Sequence, residues 1–165
     1  MSEERLWAPW RLEYIKGPKA DECIFCVGAQ TDDDAARYIV RRGEHVFAIL
    51  NAFPYNNGHL MVAPYRHVPS IEELDEQALL ELMTMTQEAL RALRAAYAPE
   101  GFNLGVNQGK VAGAGVEHHV HLHVVPRWGA DTNFMPVVGH TRVLPQSLED
   151  SYRDITRAFA TAQPQ

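Results

Sequence analysis

The sequence predicts a mixed helix-and-strand domain, and three observations carry that expectation. Short apolar runs recur between Gly, Pro and Asn residues, which is the composition of strands. One long stretch, about Asp75 to Tyr97, repeats its apolar residues at spacings of three, four and seven, the periodicity of a helix. A third stretch, His119-Val120-His121-Leu122-His123-Val124-Val125, alternates with a period of two and is stopped by Pro126. A chain of 165 residues is expected to form one domain, 1–165, long enough to bury a core.

Bulk composition narrows the function. The formal net charge of −6 argues against a basic surface for duplex nucleic acid, so nucleic acid is not an expected partner. A local basic pocket for phosphates stays open. No apolar run approaches the roughly 18 residues of a membrane span. The start, Met1-Ser2-Glu3-Glu4-Arg5, is too charged to lead into a signal peptide. A cytoplasmic protein with no membrane partner is expected.

Taken in order, residues 1–20 form an arm containing Trp7, Trp10 and Tyr14. Such aromatics predict docking, onto the chain's own body or onto a partner subunit. Cys23 and Cys26 follow as C-x-x-C. That spacing lets two thiolates reach one ion at about 2.3 Å. A redox pair or two buried thiols would also use it, and further metal ligands must come from far along the chain. Asp32-Asp33-Asp34 reads as a solvated loop. Arg37–Arg41 and His45–Leu50 read as strands joined in a hairpin through residues 42–44. Asn51 to Gly58 is a loop by its Pro, Asn and Gly content, and His59–Pro64 is a third strand.

Ser70-Ile71-Glu72-Glu73 has the form of a capping box ahead of the long helix. Leu79, Leu82, Met83, Leu90 and Leu93 are the expected core side of that helix. Phe102–Asn107 is a fourth strand. The loop from Gln108 to Gly115 is rich in glycine, so its backbone N–H groups, at Gly113 and Gly115 in particular, can approach phosphate oxygens. Beyond the histidine strand, short strands are expected at 137–138 and 143–145, a helix at about 148–160, and a frayed tail at 161–165.

The histidine strand carries the chemistry. Alternation puts His119, His121 and His123 on one face and Val120, Leu122 and Val124 on the other. Three adjacent imidazoles repel when charged, so at least one stays neutral near pH 7. A neutral imidazole is a nucleophile, a base or a metal ligand.

The unbroken run His-φ-His-φ-His-φ-φ (φ apolar) resembles the motif of the histidine triad (HIT) family of nucleotidyl hydrolases and transferases. Ala112-Gly113-Ala114-Gly115 and the segment from Arg127 to Pro136 resemble its bacterial branch of dinucleoside polyphosphate phosphorylases. The likeness runs from Trp7 to about Leu148. It implies an α+β fold, an antiparallel sheet with flanking helices, joined across a homodimer. It implies cleavage of an adenine dinucleotide at the α-phosphate through a covalent nucleotidyl-histidine, with phosphate or water as acceptor.

In that reading His121 is the nucleophile, and His123 with the loop N–H groups meets the phosphoryl charge. Asn51 would bind the ribose, although a turn-capping role suits it too. Asn107 or Gln108 would contact phosphate or the departing group. Relatives often place Gln and Ser or Thr where Gly115 and Val116 stand here, so that side-chain role does not carry over and backbone contacts must do more. Zinc-containing relatives imply a closed structural site at Cys23, Cys26, His67 and His119 that does not activate water. His119 is then divided between metal ligand and phosphate-site histidine. The alternative activity is that of a nucleoside phosphoramidase or a nucleotide-binding regulatory protein. Related hexose-1-phosphate uridylyltransferases carry Gln at the third triad position, from which His123 departs.

Overall fold

The computed structural model describes residues 22–132 and 143–162. The aromatic arm, the strand expected at 137–138 and the last three residues lie outside them.

Five strands form one sheet. β1 (Ile39–Arg42), β2 (Val46–Leu50), β3 (Leu60–Pro64), β4 (Gly101–Val106) and β5 (Leu122–Arg127) lie in the order β1-β2-β3-β5-β4. Every neighbouring pair is antiparallel. The expected α+β architecture is the observed one. β5 sits between β3 and β4, with Met61 opposite His123 and Gly105 opposite His123 on the other side.

Strand alternation divides the apolar residues between two faces. On one face Val46, Ala48, Leu50, Leu60, Val62, Leu122 and Val124 pack under the long helix α3 (Glu76–Tyr97) and the terminal helix α4 (Leu148–Thr161). On the other, Ile39, Phe47, Ile49, Met61 and Ala63 close around Phe25 of the short helix α1 (Ile24–Gln30). The histidines at 121 and 123 belong to this second face.

Local chemistry explains the helix boundaries. Asp75 caps α3 by accepting from Ala78 N at 2.9 Å, and Ala98 ends it in a left-handed conformation just before Pro99. Ser147 caps α4 through Asp150 N. Ser70 caps a short 3-10 turn, Ile71–Glu73, instead of the long helix. Arg42 holds the end of α1, donating to the carbonyls of Gly28 and Thr31 at 3.0 Å each, while its Nε donates to Asp34 at 2.9 Å.

Four element expectations need correction. The acidic run is not a plain loop: Asp33 accepts from Ala36 N and caps α2 (Asp34–Arg37), which takes the first residues of the expected first strand. Leu79 and Met83 are 36% and 51% exposed, so they lie on the rim and surface of α3, and Met85 fills the core position. Residues 143–145 form no strand. β5 begins at Leu122, so His119 and His121 precede the regular ladder; Val120 N, donating to Val68 O at 2.7 Å, holds that approach.

Candidate functional site

The three triad histidines are buried, at 0%, 4% and 9% exposure for His119, His121 and His123, and so do not form a solvated polar strand face. Phe25 lies against the rings of His119 and His121, with centroids 5.0 and 4.8 Å away. Burial disfavours the imidazolium form, and His121 is held below the ordinary histidine value by it, against a partial upward pull from its bond to His119 O.

Backbone groups fix which nitrogen of each ring carries the proton. His121 Nδ1 lies 2.8 Å from His119 O, an acceptor, so Nδ1 bears hydrogen and Nε2 keeps its lone pair. His119 Nε2 lies 2.8 Å from Pro64 O, so its lone pair is on Nδ1. Tyr55 N donates to His59 Nδ1 at 3.0 Å, so His59 carries its proton on Nε2. That Nε2 donates to His123 Nδ1 at 2.9 Å, which leaves the His123 proton on Nε2. The nucleophile candidate therefore presents a lone pair, and its neighbour presents a donor.

His59 is the residue that sequence reasoning missed. It is 1% exposed, and burial, with repulsion from His123 and His121, lowers it to about 3. Its only signal was its place directly after Gly58. That glycine has φ of +74°, and a Cβ on it would meet Tyr97 and Leu93 at 3.0 and 3.1 Å. Gly58 lets the loop turn tightly enough to aim His59 inward.

Asn51 stands at the end of β2, where its Oδ1 accepts from Phe53 N at 2.9 Å and its Nδ2 lies 3.4 Å from His59 Nδ1. It caps the turn while remaining beside the histidine network. Gln108 Oε1 accepts from Ile71 N at 2.8 Å, tying the glycine-rich loop to the 3-10 turn. Asn107 is half-buried beside it. Gly113 closes the Lys110–Ala112 turn in a left-handed conformation, and Gly115 is exposed. Val116 then packs on the Phe25 and Met61 cluster, which brings the loop's end to the triad face.

The fold gathers Cys23, Cys26, His67 and His119, with one ligand atom from each within 4.8 Å of the others. Cys23 Sγ and Cys26 Sγ lie 3.4 and 3.6 Å from His119 Nδ1, Cys26 Sγ lies 3.1 Å from His67 Nδ1, and the two Nδ1 atoms are 3.3 Å apart. A tetrahedral ion with Zn–S of 2.3 Å and Zn–N of 2.0–2.1 Å gives S···N edges of about 3.6 Å and N···N edges of about 3.4 Å. The set fits a small thiophilic ion, and the His119 lone pair already points into it. Pro64 O accepts from the far nitrogen of the His119 ring and so fixes the orientation a ligating imidazole needs.

Known proteins resemble this chain in sequence and in fold. The HIT domain family matches residues 33–129. The chain is 42% identical to an AP-4-A phosphorylase of Mycobacterium tuberculosis, covering 95% of this chain and 85% of that one. A solved structure of a Zn-bound histidine triad family protein from Mycobacterium smegmatis superimposes with a TM-score of 0.69 at 26% identity, over 84% of this chain and 94% of that one. A hypothetical histidine triad nucleotide-binding protein from Sulfolobus tokodaii gives 0.66 at 27% identity, over 84% and 92%. With its triad, its sheet order and these matches over most of its length, the chain belongs to the histidine triad family.

Proposed function

We propose that this protein cleaves dinucleoside polyphosphates of the diadenosine tetraphosphate type at the α-phosphate. The observation that carries this reading is the tautomer of His121: Nδ1–H engaged by His119 O, Nε2 unprotonated beside His123. His121 Nε2 attacks the α-phosphorus. The bond from phosphorus to the bridging oxygen breaks, and the departing nucleotide leaves with the electron pair. An oxygen of orthophosphate or water then attacks the same phosphorus and restores the free imidazole.

The chain's other residues orient and balance charge. His123 Nε2–H donates to a phosphoryl oxygen, and His59 holds His123 in that tautomer. The backbone N–H of Gly115 and the amide of Asn107 add donors to the same oxygens, whereas the Gly113 N–H, expected to join them, already donates to Lys110 O at 3.1 Å. Gln108 anchors the loop that carries them. Asn51 receives the ribose of the transferred nucleotide. Zinc held by Cys23, Cys26, His67 and His119 supplies structure, tying α1 to the triad segment. His119 acts there as a ligand through its side chain and as an orienting group through its carbonyl.

The likeness to a protein named AP-4-A phosphorylase supports the substrate class. The chain acts as a single domain, joined in a homodimer through β4, a sheet edge whose residues 103–105 are exposed. Two reduced thiols serving as ligands suit the cytoplasm. No helix among the described residues is long and apolar enough to cross a membrane.

The test is product analysis with diadenosine tetraphosphate, paired with intact-mass measurement. The expected result is one adenylyl group on the wild-type chain and none on His121→Ala. ADP with ATP, formed only with orthophosphate, marks a phosphorylase; AMP with ATP marks a hydrolase. Full turnover by His121→Ala would overturn the mechanism.

A further inference from the structure

Beyond the triad, a groove of about 290 Å³ opens on the His123 face of the sheet, bordered by Tyr55, Asn56, Asn103, Val125, Arg127 and Asp131. Val125 and Arg127 follow His123 by two and four residues, on the same face, at about 7 and 14 Å along the strand. Asn103 is the register partner of Val125 on β4. Tyr55 joins groove to triad: its ring lies 4.5 Å from His59 and 5.7 Å from His123, and it is 41% exposed.

Arg127 is held in place more firmly than a surface arginine needs. Its Nε and Nη2 donate to both oxygens of Asp131 at 2.6 and 2.9 Å, and its Nη1 donates to Asn103 Oδ1 at 2.7 Å. Asp131 is itself fixed by Asn56 Nδ2 at 2.8 Å and Trp128 N at 3.2 Å. A guanidinium has five N–H groups in a rigid plane. Those bonds use three, and the other two keep a set direction although the side chain is 46% exposed. Nothing in the adenylyl-transfer chemistry at His121 uses them.

Charge decides what fits. Asp131 balances Arg127, so the groove offers oriented donors, amides and an aromatic ring instead of an unpaired positive field. A free phosphate favours the unpaired field. A flat, uncharged, hydrogen-bonding group favours the donors and the ring. We propose that this groove receives the distal nucleoside of the substrate, the one that departs with the polyphosphate, held by Arg127, Asn103 and Tyr55. This assignment rests on the reading of the triad as a site that cleaves dinucleoside polyphosphates. It makes Asp131 and Asn56 positioning residues for Arg127.

The test is equilibrium binding to the full chain of two probes. One is AMP. The other is diadenosine tetraphosphate with methylene groups replacing the α,β and γ,δ bridging oxygens. Arg127→Gln is expected to weaken the analogue by about 10- to 100-fold, the loss of one or two charge-assisted hydrogen bonds, and to leave AMP within twofold. Asn103→Ala, which leaves the backbone pairing of β4 intact, is expected to weaken the analogue by about 3- to 10-fold with AMP unchanged. In turnover, Arg127→Gln lowers kcat/KM for diadenosine tetraphosphate but not for adenosine 5′-phosphoramidate, whose departing ammonia does not reach the groove. Variants that weaken both probes equally, or neither, overturn the assignment. Wild-type protein that turns over neither substrate overturns the reading of the triad. Wild-type turnover with undiminished analogue affinity in both variants overturns the groove alone.

Discussion

His121 owes its exposed lone pair to a carbonyl two residues earlier, and His123 owes its donor to His59 across the sheet. The two dependencies differ in kind. The first is local and cannot be removed by a side-chain change. The second can. His59→Asn is expected to lower kcat by about 10- to 100-fold, the usual cost of removing a group that orients a functional imidazole, with the AMP dissociation constant little changed; an unaltered kcat would refute the relay. The same residue sets an acid limb on stability. Unfolded His59 titrates near 6.5 and folded His59 near 3, so the unfolded chain binds the extra proton between those values. The stability that neutral His59 confers is complete above about pH 6.5 and is lost as pH falls toward 3, by up to about 1.4 kcal/mol per pH unit. Urea unfolding at pH 7, 6 and 5 should give a shallower decline for His59→Asn than for wild type. Equal slopes would show that His59 is not buried neutral. The triad was readable from the sequence because three alternating histidines make a pattern. A single histidine at the start of a strand makes none, and its partner 64 residues away is set by strand register.

At the scale of elements, one carboxylate fixes where β2 begins. Glu81 on α3 accepts from the consecutive amides of Glu44, His45 and Val46 at 2.8, 2.5 and 3.1 Å. Burial pushes its pKa up, but those three donors outweigh it and the net value lies below the usual one. Its contribution is therefore present above the unfolded carboxylate pKa and lost as pH falls through the folded one. Glu81→Ala is expected to cost about 3 kcal/mol, since several charge-assisted bonds go and the amides at the strand start lose their acceptor; a loss under about 0.5 kcal/mol at pH 7 would contradict this. The helix α3 itself was legible from its period, and its rim was not: Leu79 and Met83 match the apolar repeat yet are exposed, while Ala78, Leu82 and Met85 fill the buried side. The capping box does cap, but a short 3-10 turn, since Asp75 offers the long helix its own cap five residues on. The groove residues Arg127 and Asp131 lay in a segment marked by its resemblance to the family's bacterial branch, yet their pairing with Asn56 and Asn103 joins three separate parts of the chain.

For the whole molecule, the four residues that could hold a metal ion span 96 positions and join α1, the exit of β3 and the approach to β5. Metal binding is thereby linked to the folded state. A hundredfold excess of free zinc over its dissociation constant stabilises that state by about 2.7 kcal/mol. In a chain of this size that is roughly 5–10 °C in Tm. Chelation should lower Tm by that amount and zinc should restore it, while Cys26→Ser should respond to neither; a chelator-insensitive wild type would remove the metal from the account. The cysteine pair alone left metal, redox and buried-thiol uses open in the sequence. The meeting with His67 and His119, a product of the fold, is what supports the metal use. Mass measurement in solution tests the joined sheet, where a monomer would refute pairing through β4.

The place of β5 between β3 and β4 has a consequence for motion. Its amides are shielded by strands on both sides, whereas the loop from Asn107 to His118 is held by its turn, by Gln108 and by Val116. In heavy water, the amides at 122–125 that donate within the sheet should exchange only when the whole domain opens, and those at 109–115 should exchange within seconds to minutes. β5, directly after the proposed nucleophile, is then a fixed anvil, and the glycine-rich loop is the part free to settle around each incoming substrate.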